Sequence, residues 1–265
     1  MPEFVQVHRD GPIATIELSN PDRANAMSVA MAHEFRGACE ELACSTSLRA
    51  VIVTGTGRYF AAGGALDMLE EVCSGPHDDE RRAENARNME TYYGCFLAIR
   101  DVPVPVIAAV NGPAVGAGLC LALACDIRLV STQAKLGVTF TRLGIHPGLG
   151  ATWFLPRIVG TERATLLLCT GRTISGPEAV EAGLAVEAYA PDELLPAARS
   201  LANEIADCAP LANRLVKESL RRSPDDDLAT RLAAEAKAQS ETYAHPDALE
   251  GIRAFQARRA PRFGQ

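Results

Sequence analysis

The sequence predicts an α/β core followed by an all-helical C-terminal region. Short apolar, strand-like runs alternate with helix-patterned segments from the start of the chain to Val186-Glu187-Ala188-Tyr189, and the alternation stops there. Two glycine-rich turns, Phe60-Ala61-Ala62-Gly63-Gly64-Ala65-Leu66 and Asn111-Gly112-Pro113-Ala114-Val115-Gly116-Ala117-Gly118-Leu119, each join such a run to a helix-like one. From Pro191 onward the composition is rich in Ala, Leu, Glu and Arg and predicts only helices, interrupted at Pro210, Pro224 and Pro246. The division expected is therefore a core over residues 1–190 and a helical region over 191–265.

Taken in order, Phe4 to Arg9 and Ile13 to Leu18 alternate like paired strands across the turn-forming Asp10-Gly11-Pro12. Ser28 to Ala43 reads as a helix with an N-cap serine and with Met31, Phe35, Cys39 and Leu42 at helical spacing. It delivers the chain to a buried strand over Arg49 to Thr54, which completes a β-α-β step. A helix over Leu66 to Val72 follows the first glycine turn. Residues 73 to 88 are the most polar stretch of the first half, suited to a surface segment near a site, and precede a helix running to about Ile99. Pro105 to Val110 feeds the second turn. After it come a helix over Leu119 to Ala124, a strand over Asp126 to Val130, an extended piece at Lys135 to Val138 and the loop Gly144-Ile145-His146-Pro147-Gly148-Leu149-Gly150.

Composition narrows the function classes. With 265 residues, 48% of them hydrophobic, the chain has material for one well-buried core. A net charge of −7 and the lack of a basic stripe with interleaved aromatics exclude a nucleic-acid surface. No apolar segment reaches the ~18 residues of a membrane span, so a cytoplasmic protein without membrane association is expected. The eight cysteines form no C-x-x-C pair and sit mostly among Ala and Leu, as small buried thiols do; the five histidines are scattered, and no metal site is expected.

A strand that ends in glycine and restarts as a helix points unpaired backbone N–H groups outward, as an anion or a developing oxyanion requires. The glycine spacing Gly112-x-x-x-Gly116-x-Gly118 is not the dinucleotide fingerprint, and Asp126 follows too soon for the ribose-binding acid. Neither turn ends in Gly-Lys-Ser/Thr, and no G-x-S-x-G occurs, so a P-loop and a nucleophile elbow are both excluded.

The ordered segments Asn20-Pro21-Asp22-Arg23-Ala24-Asn25-Ala26-Met27, Val51 to Gly55 with Phe60 to Gly64, Pro105 to Ala117, Ala124-Cys125-Asp126-Ile127, Gly144-x-x-Pro147-Gly148-x-Gly150 and Glu250 to Phe263 together resemble the crotonase superfamily, the enoyl-CoA hydratase/isomerase family, over almost the whole chain. The resemblance implies a spiral of β-β-α turns with a C-terminal helical region that trimerises and caps CoA, and hence a homotrimer or homohexamer. It implies an acyl-CoA thioester as substrate, CoA being part of the substrate and no separate cofactor being required. The thioester oxygen would be held by the backbone N–H groups of Gly64 and Ala117. CoA contacts would come from Arg23, Ala24, Ala26, Ala62, Ala65 and Leu66, with Arg258 for the phosphates; a solvated helix end is the competing reading of Arg258.

This chain departs from the pattern at the residues that move protons. Where the family's hydratases carry two glutamates, Cys120 and Phe140 stand here, and Ala65 replaces the aspartate usual after the first oxyanion donor, with Asp67 two residues on. Ordinary hydration is therefore in question. Proton transfer by another group (Asp67, Glu70, Glu71, Glu84, Glu90, Tyr92, Tyr93 or His146), a decarboxylation, isomerisation or C–C cleavage needing mainly enolate stabilisation, and acyl-CoA binding without turnover all stay open. Cys120 reads either as a thiol acidified by a helix N-terminus or as a buried spacer among leucines. Asp67 reads either as an acid/base or as part of a solvated acidic helix face with Glu70 and Glu71. His146 has the imidazole suited to proton transfer. Phe140 reads as a wall of an apolar acyl pocket.

Overall fold

The computed structural model describes residues 3–75, 78–222 and 226–264, so that Pro224 and His77 lie outside the described residues. The chain opens with β1 (Val5–Asp10) and β2 (Ile13–Leu18), an antiparallel hairpin. Next comes α1 (Val29–Ala43), capped as its sequence predicts: the Ser28 hydroxyl accepts from the Met31 N–H at 3.1 Å. Its Met31, Phe35, Cys39 and Leu42 are all buried, as their spacing requires. The fully buried β3 (Ala50–Gly55) then lies parallel to β2, since the intervening helix provides the crossover.

Past the first glycine turn come α2 (Leu66–Ser74), α3 (Asp79–Leu97) and β4 (Val106–Val110). The second turn contains a two-residue strand, β5 (Ala114–Val115), before α4 (Ala117–Ala124). Then follow β6 (Ile127–Ser131), β7 (Lys135–Gly137), α5 (Ala151–Val159), α6 (Thr161–Thr170), β8 (Thr173–Ser175), α7 (Gly176–Glu181) and β9 (Glu187–Tyr189). One sheet has six strands in the order β1-β2-β3-β4-β6-β9, parallel beyond the opening hairpin, and the other is β5-β7-β8. Each turn of the chain lays one strand in the large sheet and one short piece in the small one: β4 is followed by β5, and β6 by β7. The same step exists at the first turn, where Ala61 bridges Ala114 after β3. These repeated steps are the spiral, and they stack the two glycine turns against each other.

The helical tail is α8 (Leu194–Ala206), α9 (Pro210–Leu220), α10 (Leu228–Tyr243) and α11 (Pro246–Gln256). Pro210 and Pro246 occupy the first helical position and start their helices rather than merely interrupting the tail, because an N1 residue needs no N–H donor. The tail is not one packing unit. Leu194, Ala198, Ala202 and Ala206 of α8 are buried with Ile52, Ile107 and Leu129 and form the second face of the large sheet, so residue 190 divides kinds of secondary structure rather than cores. The next helix, α9, is fastened by Lys217, whose ammonium lies 2.7 Å from Asp126 and donates to the Val104 carbonyl at 2.5 Å. Asp126 also accepts from the Val106 N–H at 2.8 Å and pairs with Arg221 at 3.2 Å. The cysteine expectation needs correction: Cys39, Cys95, Cys120 and Cys125 are buried, but Cys44, Cys73, Cys169 and Cys208 are exposed on helix surfaces and helix ends.

Candidate active site

Two asparagines fix the glycine turns. Asn25 is fully buried, and its amide nitrogen donates to the carbonyls of Thr56 at 3.0 Å and Tyr59 at 2.8 Å while its oxygen accepts from the Asn20 N–H at 2.8 Å. Asn111 donates to the Gly55 and Gly57 carbonyls at 2.9 and 3.0 Å and accepts from the Gly55 N–H at 3.1 Å. Each side chain thus satisfies loop backbone that neither sheet can reach. Neither residue was assigned a role from sequence; an Asn directly before Gly112 was the available signal.

The first turn aims one donor outward. The Met27 N–H donates to the Gly63 carbonyl at 2.7 Å and the Met27 carbonyl accepts from the Ala65 N–H at 3.2 Å, so Met27 straddles Gly64. Because a trans peptide sets C=O and N–H on opposite sides, the Gly64 N–H points away from Met27. The second donor is the first amide of α4. Gly116 accepts from the Cys120 N–H at 3.1 Å, which sends the Ala117 N–H out of the helix N-terminus, where the helix dipole also favours negative charge. Among the described residues neither the Gly64 nor the Ala117 N–H has a protein acceptor.

These donors come together because the turns touch. Ala61 accepts from the Val115 N–H at 3.0 Å, and a side chain at Gly118 would overlap the Ala61 carbonyl. Gly63 has φ +95°, and a Cβ there would stand 2.7 Å from the Val115 oxygen and 3.5 Å from the Ala117 nitrogen. Backbone approach this close is available only to glycine.

The surrounding side chains are apolar or uncharged. Met68 and Leu69 of α2 lie 3.7 and 3.8 Å from where a Gly64 Cβ would be, and the Phe140 ring lies 3.9 Å from the corresponding point at Gly116. Cys120 sits one turn into α4, fully buried, with its thiol 3.6 Å from the Gly148 carbonyl. Burial pushes that thiol up to about 12, which favours the buried-spacer reading of Cys120 over the acidified thiol: loss of solvation outweighs the helix N-terminus. Tyr93 of α3 packs against Gly148, on which the Cys120 thiol also leans, and its neighbour Tyr92 donates to the Met27 carbonyl at 2.7 Å, fastening α3 to the residue that bridges Gly64.

The remaining residues singled out from sequence separate into two groups. Ala24 accepts from the Ala62 N–H at 3.0 Å, and Arg23 pairs with Asp67 at 2.9 Å across the start of α2, so Arg23, Ala24, Ala26, Ala62, Ala65 and Leu66 form one lip beside Gly64. That ion pair holds the exposed Asp67 carboxyl below its usual range, through Arg23 first and the Met68 N–H second. Glu70, Glu71, Glu84 and Glu90 are exposed, and His146 is exposed with Nδ1 2.8 Å from the Pro147 carbonyl. Arg258 does not join the lip. It follows α11 with φ +52°, and the tail beyond it returns to Arg49, which donates to the Phe263 carbonyl at 2.7 Å at the end of β3 remote from Gly64.

Comparison with known proteins agrees with this geometry. The family model described as enoyl-CoA hydratase/isomerase matches residues 8–265. A Bacillus subtilis protein provisionally named an enoyl-CoA hydratase/isomerase, YngF, is 38% identical over 93% of this chain and 92% of its own length. The 1,2-epoxyphenylacetyl-CoA isomerase of Escherichia coli is 31% identical over 99% of both chains. The crystal structure of an enoyl-CoA hydratase from Bacillus anthracis superposes with a TM-score of 0.90 at 34% identity, covering 98% of each chain. With the β-β-α spiral and the paired glycine turns in place, these matches make the chain a member of the enoyl-CoA hydratase/isomerase family, with the crotonase fold.

Proposed function

We propose that this chain binds an acyl-CoA thioester with its carbonyl oxygen between the Gly64 and Ala117 N–H groups and acts through the enolate by decarboxylation, in which the breaking C–C bond leaves its electron pair on the enolate, carbon dioxide departs and solvent returns the proton, rather than by adding water between two glutamates. A thioester enolate gathers negative charge on one oxygen, where two fixed donors in a partly dry pocket are most effective. The observation that carries the choice of reaction is the wall facing those donors: Cys120 and Phe140 occupy it, and the nearest acid of α2, Asp67, is turned to Arg23. A carboxylate that must take or give a proton has to reach the reacting atoms. The relative named 1,2-epoxyphenylacetyl-CoA isomerase supports the view that proteins this similar are not confined to hydration.

In this reading the lip from Arg23 to Leu66 holds the CoA moiety. Exposed Leu220, Leu228, Tyr243 and Phe255 on the tail support self-association as a trimer or hexamer. A panel assay tests the reaction: malonyl-type CoA esters are expected to turn over, and 3-enoyl-CoA and crotonyl-CoA are not. Crotonyl-CoA hydration at ordinary hydratase rates overturns the proposal. A second reading, binding without turnover, draws on the burial of Cys120 and Tyr93, which raises both and keeps them protonated near neutrality. Calorimetric binding of acyl-CoA with no product from any member of the panel selects that reading.

A further inference from the structure

The Tyr93 hydroxyl is a polar group that the fold carries to the acyl wall and then leaves without a protein partner. Its ring edge lies against Gly148, where any Cβ would overlap the phenol oxygen. The buried Cys120 thiol leans on the same residue, 3.6 Å from the Gly148 carbonyl. Among the described residues the hydroxyl makes no hydrogen bond, although the side chain is half-buried. The adjacent Tyr92 behaves otherwise: its hydroxyl is satisfied by Met27, and this fastening sets the direction of Tyr93 on the same helix. The Tyr93 oxygen is not enclosed, as the unpartnered Thr56 hydroxyl is, so the phenol is free to donate to a bound ligand.

The position along α4 says what could pair with it. Ala117 offers its N–H at the first residue of the helix, and Cys120 stands three residues further on. At 1.5 Å of rise per residue this is about 4.5 Å, the scale of the step from a thioester oxygen to an oxygen two carbons along the acyl chain. Phe140, Met68 and Leu69 offer that chain only hydrocarbon surface.

We propose that Tyr93 is a specificity-determining residue: its phenol donates a hydrogen bond to an oxygen borne by the acyl chain beyond the thioester carbonyl, so that the pocket selects oxo-, hydroxy- or epoxyacyl-CoA esters over hydrocarbon ones. The inference rests on the acyl-CoA reading above. Burial raises the phenol above its ordinary range, so it serves as a donor rather than as a base.

Calorimetry with two inert probes, butyryl-CoA and acetoacetyl-CoA, tests it. The wild-type chain is expected to bind acetoacetyl-CoA about five- to tenfold more tightly, the yield of one neutral hydrogen bond. Y93F keeps the ring and is expected to bring the two Kd values within about twofold of each other by weakening the binding of acetoacetyl-CoA. G148A, whose methyl group displaces the phenol, is expected to lose the same preference without altering Tyr93 itself. Equal wild-type affinities, or a preference that survives in Y93F, overturns the assignment. Wild-type binding to neither ester overturns the acyl-CoA reading and this inference with it.

Discussion

The floor and the wall of the proposed acyl-CoA site are built in different ways. The floor is backbone: two N–H groups, presented by glycine turns whose separation is set by peptide geometry and by two asparagine side chains. The wall is side chain: Tyr93 and Cys120 come from different helices to Gly148, Phe140 lies against Gly116, and only the spiral brings these segments near one another. A backbone floor tolerates changes in residue type so long as the N–H stays, which is why Ala at position 117 does no harm. A side-chain wall changes its chemistry with each substitution. A common floor with a variable wall is one physical account of how hydratases and isomerases share this fold.

The sharpest break of this comparison is A117P. Proline fits the first position of α4 but deletes the donor, so the helix is expected to persist while turnover of any active acyl-CoA falls about 100- to 1000-fold. Retained turnover in a folded variant would remove Ala117 from the oxyanion hole. Next in size is G118A, which forces a methyl group onto the Ala61 carbonyl and is expected to lower unfolding free energy by about 2 kcal/mol in denaturant titration. No loss of stability there would mean that the turns are less tightly stacked than described.

On the wall, F140A is expected to lower kcat/KM by about tenfold for esters with bulky apolar acyl groups and less for short ones, because the lost contact is hydrophobic area rather than a reacting group. An equal loss for all esters would give Phe140 a role beyond shape. Smaller still is the chemical test of Cys120. With its thiol buried and pushed up to about 12, iodoacetamide at pH 8 is expected to label exposed Cys44, Cys169 and Cys208 and to spare Cys120, read by peptide mass mapping.

The tail contrasts with both. Glu250 accepts from Arg259 at 2.6 and 2.9 Å and from the Arg262 N–H at 2.8 Å, and these partners hold its carboxyl down at about 2. The folded value lies below the ordinary ~4.3, so this clamp contributes above about pH 4.3 and is lost as pH falls through about 2. Protection of residues 259–264 against hydrogen exchange, taken relative to the intrinsic rate at each pH, is expected to fall over that window in the wild type, and to be low already at pH 7 in E250Q. A tail equally protected at both pH values would show that Glu250 does not hold it.

Much of the fold could be read in advance, and particular residues show why. Ser28 and the spacing of Met31, Phe35, Cys39 and Leu42 predicted α1 because capping and a 3.6-residue period are local properties. The strand at β5 was missed, since two residues inside a glycine turn carry no periodicity. The role of α8 was missed because Ala198, Ala202 and Ala206 record only that one face is small, not which sheet it covers. Within the site, Gly63 and Gly118 announced close backbone approach. Tyr93 stayed one of several candidates, because nothing along the chain says that a residue of α3 meets residues 120 and 148.

The sequence by itself therefore determined the order of elements, the caps, the glycine turns and the two donors they present, because each follows from neighbours within a few residues. Only the tertiary structure decided that Asp67 turns to Arg23, that burial keeps Cys120 protonated, and that Tyr93 comes to the acyl wall with its hydroxyl unpaired. Solvation, ion pairing and contact between distant segments depend on what the whole chain excludes from water, and no local stretch of sequence contains that information.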